Sequence, residues 1–171
     1  MPQKKRPSSS SSDSSTARRG LLVAELTSES RRYMASYALF SQAVADHLGL
    51  HPTDLQCLNL LNLETGPVTI GRVAELTGLT TGSATRLVDR LERAGYLTRR
   101  RDTQDRRRVL VEAVPERMAE FGAVWEKLSG RWAQMFDAYD DDELALIIAH
   151  MRRTVEVSAA QVERLRSGEL N

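Results

Sequence analysis

"VTIGRVAELTGLTTGSATRLVDRLERAGYLTRRR", residues 68–101, decides how the chain folds. Val73 and Ala74 stand five and four residues before Gly78, Ala84 six after it and Leu87 nine after it, which is the spacing of a helix-turn-helix. Each slot has a cause. Ala74 must be small where two helices cross, Gly78 accepts the left-handed backbone of the turn, and Val73, Leu79, Ala84 and Leu87 fill the shared core. In the second helix Ala84, Leu87, Val88 and Leu91 recur at i, i+3, i+4 and i+7 and so face inward. The opposite face carries Thr81, Ser83, Thr85, Arg86 and Arg90. Short hydroxyl side chains let a helix approach base edges or phosphates closely, and guanidiniums fork onto phosphate or guanine. A merely solvated face has the same polarity; its place on the second helix of this motif turns the reading toward a major groove.

Gly95 ends that helix, and the β-prone runs Tyr96-Leu97-Thr98 and Val109-Leu110-Val111 predict a small β-hairpin, a wing. Between them, residues 99–108 hold six arginines and two aspartates. Such a cluster repels itself in isolation and becomes favourable beside dense negative charge, which a phosphate-lined minor groove supplies. Asp105 is read as fixing the direction of the Arg107 guanidinium before binding.

The rest of the charge is arranged to match. Residues 68–111 hold ten arginines against five acidic residues, whereas residues 112–171 hold seven basic against twelve acidic ones, within a net charge of +1. A basic block of this kind suits a polyanion.

On either side of the block the apolar residues keep helical spacing. Leu22, Leu26, Tyr33, Tyr37, Phe40, Val44 and Leu48 predict a first long helix that stops at Gly49. A second follows from Pro52, with Thr53 and Gln56 at capping-box spacing, and ends at Gly66-Pro67. Met118, Phe121, Trp125, Leu128, Trp132, Met135 and Tyr139 form one stripe, and Leu144, Ile148, Met151, Val155, Val162 and Leu165 another, opened by Asp140 and Glu143 in capping positions. These stripes exceed what one small domain covers internally, which favours a helical dimer interface. The expected fold is therefore mainly α with a small β-hairpin wing: a winged helix-turn-helix lobe over 52–113, and dimerisation helices over 20–50 and 115–168, all within a single domain at 20–171.

The Ser-rich, basic residues 1–19 are expected to be a disordered tail whose Lys4, Lys5, Arg6, Arg18 and Arg19 can add sequence-independent attraction to DNA. No run of about 18 apolar residues occurs, so no membrane span is expected. The single cysteine, Cys57, fits a reducing cytoplasm and, among leucines, reads as core rather than as a redox sensor. His47 and His51 are four apart, but Gly49 and Pro52 break the helix that would align them as metal ligands, and His150 has no partner in sequence. With no triad, no metal set and no phosphate-cradling glycine loop, no catalytic residue, cofactor or metal is expected and the chain is not read as an enzyme.

The segment "VAELTGLTTGSATRLVDRLERAGYLTRRRDTQDRRRVLV", with its leucine-rich second helix, its Gly95-aromatic exit and its D-x-x-D-R-R wing, resembles the MarR (multiple antibiotic resistance regulator) family of winged-helix transcription factors. The resemblance extends over about residues 20–168. It implies a homodimer with interlocked terminal helices, recognition helices in successive major grooves of double-stranded DNA and wings in the flanking minor grooves. Carried over by position, Thr81, Ser83, Thr85 and Arg86 match recognition-helix contacts, Arg107 the wing arginine of the minor groove with Asp105 orienting it, and Arg90 and Arg106 phosphate contacts. Val114 stands where a helix-capping threonine is usual in the family, and Ala113 where leucine is. The resemblance further implies a repressor released by a small-molecule effector. The competing reading is a winged-helix interaction module that turns its arginines toward an acidic protein partner.

Overall fold

The computed structural model describes residues 10–169, with side chains from residue 14 onward, and divides after Val114 into two units. The architecture is mostly helical with one small antiparallel sheet.

In the first unit, helix α1 (Ser10–Leu48) ends where the Leu50 N–H bonds back to the Ala45 carbonyl at 2.9 Å. It starts at Ser10, well inside the stretch expected to be a tail over residues 1–19. Adding a residue to an existing helix gains one hydrogen bond without a new nucleus, and Ala17, Arg18 and Arg19 are good helix formers. The other part of that expected tail, residues 1–9, lies outside the described residues. Only the C-terminal end of α1 is buried, through Val44 and Ala45, where it packs on α2 (Pro52–Leu61).

Helix α2 is capped by His51, whose side chain accepts the Thr53 N–H at 3.3 Å, with Pro52 opening the first turn. The expected Thr53–Gln56 capping box does not form, because Thr53 is already inside the helix. Strand β1 (Val68–Thr69) leads into α3 (Ile70–Thr77), which Thr69 caps by accepting the Arg72 N–H at 3.1 Å. Gly78 takes a left-handed φ of 71°, and the Leu79 N–H returns to the Ala74 carbonyl at 3.1 Å, so the turn satisfies the carbonyls that the end of α3 leaves open. Helix α4 (Thr81–Arg93) follows, capped by Thr80. It closes in the same way: Gly95 has φ 78°, and the Tyr96 N–H bonds to the Leu91 carbonyl at 2.9 Å.

Strands β2 (Leu97–Arg101) and β3 (Val109–Ala113) pair antiparallel, with Leu97 opposite Ala113 and Arg101 opposite Val109. The wing is more than the expected hairpin. On the other side of β3, Val68 pairs with Val111 and Thr69 with Leu110, which makes a three-stranded sheet in the order β1-β3-β2. The core of this unit is Leu55, Cys57, Leu58, Val73, Ala74, Ala84, Leu87, Val88, Leu91, Tyr96, Leu97 and Val111, all buried. The four inward positions predicted for α4 are among them.

The second unit comprises α5 (Pro115–Phe136) and α6 (Asp141–Ser167). At the start of α6, Asp140 Oδ1 accepts the Glu143 N–H at 2.8 Å while Glu143 Oε2 accepts the Asp140 N–H at 3.0 Å, so the expected reciprocal cap is present. Phe121 is buried and meets Trp125 edge-on at 6.2 Å. Much of the remaining apolar surface is exposed: Trp132 and Met135 in the second half of α5, Tyr139 in the turn after it, and Ile148, Met151, Val155, Val162 and Leu165 along α6, which buries none of its residues. Among the described residues, no helix is long and apolar enough to cross a membrane.

Candidate nucleic-acid interface

The outward face of α4 is a row of short side chains ending in arginines. Thr81, Gly82 and Arg86 are exposed, and Ser83 and Thr85 are half-buried. Local bonds hold them in place. Thr85 Oγ1 donates to the Thr81 carbonyl at 2.9 Å, Thr80 Oγ1 donates to Ser83 Oγ at 3.1 Å, and Arg86 Nη2 donates to the same Ser83 oxygen at 3.1 Å. Arg86 is thereby steered by a neutral partner, and its charge stays available to a polyanion.

Arg90 is placed differently. Its Nη2 donates to Asp54 Oδ1 at 2.6 Å and its Nε to Asp54 Oδ2 at 3.2 Å, joining α4 to α2. Asp54 is 3% exposed, the one buried charged residue among the described residues, and a buried carboxylate needs such a partner. The hydrogen bond from Arg90 to Asp54 raises the arginine pKa, against the lowering effect of burial. Arg90, expected as a phosphate contact, is therefore first a partner for α2, although its side chain remains 43% exposed.

The wing divides its arginines. Arg99 Nη2 donates to Asp89 Oδ1 at 2.6 Å and Nη1 to Glu92, fastening the root of β2 to α4, and Arg100 Nε donates to Glu112 Oε2 at 2.9 Å across the strands. Burial lowers the pKa of Arg99, but the hydrogen bond to Asp89 and the charges of Glu92 and Asp89 outweigh it and the net shift is upward. Two of the six arginines are thus balanced within the chain, so self-repulsion across the segment is weaker than its composition implies. Arg101, Arg106, Arg107 and Arg108 are exposed and form no ion pair among the described residues.

At the wing tip the aspartates shape backbone. Asp102 Oδ1 accepts the Gln104 N–H at 2.8 Å, and Asp105 Oδ1 accepts the Arg107 N–H at 3.0 Å. The turn closes with the Asp102 N–H donating to the Arg108 carbonyl at 3.0 Å and the Arg108 N–H to that of Asp105 at 2.9 Å. Asp105 thus holds the Arg107 main chain, and among the described residues its carboxylate forms no hydrogen bond to the Arg107 guanidinium.

Sequence reasoning missed Asp54, 36 residues from its partner and without a local signal, and it missed Asp89 and Glu92. Those two had a signal: acidic residues on a helix meant to face phosphates call for a cation of the same chain, and Arg99 is that cation. Cys57 is buried, and desolvation, followed by the charge of Asp54, pushes its thiol up to about 12. No cluster of three or more histidine, cysteine or acidic residues suited to a metal occurs among the described residues.

Known proteins resemble this chain in sequence and fold. The sequence model of the MarR family matches residues 48–108. The chain is 41% identical over 128 residues to YcgE of Bacillus subtilis strain 168, described as an HTH-type transcriptional regulator, and the match covers 75% of this chain and 82% of that one. Among solved structures, a MarR family protein from Bacillus stearothermophilus superposes with a TM-score of 0.65 at 24% identity, over 82% of this chain and 97% of that one. The crystal structure of MarR gives 0.55 at 25% identity, over 79% and 98%. The chain belongs to the MarR family of winged helix-turn-helix, DNA-binding transcriptional regulators.

Proposed function

We propose that the chain acts in the cytoplasm as a homodimeric repressor on a pseudo-palindromic operator, with half-sites about one helical turn apart. The observation that carries this is the pairing of two free cationic groups on one lobe: Arg86 on α4 and Arg107 at the wing tip, both exposed and neither tied to a carboxylate among the described residues. In this reading Thr81, Ser83, Thr85 and Arg86 meet base edges in the major groove. Arg107, on the turn built by Asp105, enters the minor groove, and Arg106 meets phosphate. Arg90 reaches phosphate while Asp54 holds its other edge. Residues 52–113 form the DNA-binding lobe.

The dimer is supported by apolar surface that a monomer leaves in water. Leu22, Leu26 and Tyr33 on α1, and Ile148, Met151 and Val155 on α6, are all about half exposed or more. Residues 20–50 and 115–168 supply the interface. A small effector releases the operator by favouring a dimer geometry in which the two α4 helices no longer match the half-site spacing.

Footprinting on a duplex selected by the protein from a random pool tests the DNA reading. A protected palindrome is expected, and Arg86→Ala or Arg107→Ala should each weaken binding by roughly tenfold, the cost of one arginine contact. Unchanged affinity in both variants sinks the assignment. With the operator placed over a reporter promoter, the protein should lower expression; increased expression would make it an activator.

A further inference from the structure

Gly82 is the second residue of α4, and nothing in the fold asks for glycine there. Its φ is not among the left-handed ones, and a Cβ built on it meets nothing within 4 Å. No neighbouring helix or strand needs the gap. A helical glycine nevertheless carries an entropic penalty that alanine does not. Its position suggests what the gap is for. At about 100° per residue, Gly82 falls in the middle of the face opposite Ala84, Leu87, Val88 and Leu91, one turn ahead of Arg86. The side chains around it keep the space open: Thr81, Ser83 and Thr85 are short, and Arg86 bends toward Ser83 Oγ.

We propose that Gly82 sets the depth of the DNA interface: without a Cβ, the first turn of α4 comes against the base edges of the major groove at a separation that any side chain would prevent. This rests on the reading that α4 is the element entering the groove. Glycine is the residue type found where a backbone must approach a ligand closely. A face that needed only charge or solubility would lose nothing by carrying a side chain here, and the helix would gain from it.

The test uses the full chain and the duplex that the wild type selects from a random pool, with Arg86→Ala as reference. Gly82→Ala should melt at or above the wild-type temperature, by about 1–3 °C, since alanine favours the helix. Its duplex affinity should fall about tenfold, and that of Gly82→Leu further. The dependence of log K on log salt should keep its slope in both variants, because no charge is altered. A rise in stability with a fall in affinity excludes a folding defect. Wild-type affinity in both Gly82 variants, with Arg86→Ala weakened, overturns the proposal and leaves α4 in the groove. Wild-type affinity in all three overturns the proposal and the groove assignment together.

Discussion

Asp54 and Arg90, 36 positions apart, meet through two hydrogen bonds that pin α4 to α2. The carboxylate is buried and the guanidinium only half so, hence the two ends of the pair respond differently to substitution. Arg90→Ala leaves a buried charge without its partner and should cost about 2 kcal/mol in a urea titration, less than the ~3–5 kcal/mol of a fully buried pair because water reaches the arginine side. Arg90→Ala combined with Asp54→Leu should recover part of that loss. A change of less than about 0.5 kcal/mol in Arg90→Ala would show that the pair holds nothing.

Arg99 has the opposite balance: its partners Asp89 and Glu92 are substantially exposed, so little stability depends on it. Arg99→Ala should change stability by no more than about 1 kcal/mol. Duplex affinity should suffer more, since two carboxylates on α4 then face phosphate uncompensated. Asp89→Asn together with Glu92→Gln should restore much of the affinity of Arg99→Ala; failure of that rescue would place the effect elsewhere.

Cys57, with its thiol at about 12, should not react with iodoacetamide in the folded protein near pH 8 and should react on unfolding. The linkage has a definite sign. The native thiol titrates above its unfolded value of 9.0, so the stability it protects is intact below pH 9 and declines as pH rises toward 12, by up to about 1.4 kcal/mol per pH unit. Urea melts of wild type and Cys57→Val across that interval should therefore diverge, with the wild type losing more. Parallel curves would mean that the thiol is solvated.

Val155 on α6 is 69% exposed, a poor place for valine unless a second copy covers it. Val155→Asp should leave a folded chain by circular dichroism while shifting sedimentation equilibrium toward monomer and weakening duplex binding. A wild type that sediments as monomer at micromolar concentration would show that α6 does not serve as a dimer interface.

The helix-turn-helix was legible because its determinants are local. Gly78, Ala74 and the Ala84-Leu87-Val88-Leu91 stripe lie within one short stretch, and helical periodicity is the strongest signal a sequence carries. The Asp140–Glu143 cap was legible for the same reason. Strand β1 was not, because two residues, Val68 and Thr69, are too few to show alternation and become a strand only through β3. The start of α1 was hidden by serines that read as tail. At the candidate interface, Arg86 is marked by its place on the second helix and Arg107 by the arginine run around it, whereas the division of other arginines between Asp54, Asp89, Glu92 and Glu112 depends on contacts made only when the chain has folded.

Thr69 has two duties: it pairs with Leu110 in the sheet, and its hydroxyl caps α3. Leu110, on the central strand, stands opposite Thr69 of β1 on one side and Arg100 of β2 on the other, so the residue that caps α3 is also part of the sheet that carries the wing. A Thr69→Ala chain would keep the backbone pairing with Leu110 but lose the hydroxyl that accepts the Arg72 N–H, leaving the joint between the wing sheet and α3 to the main chain alone.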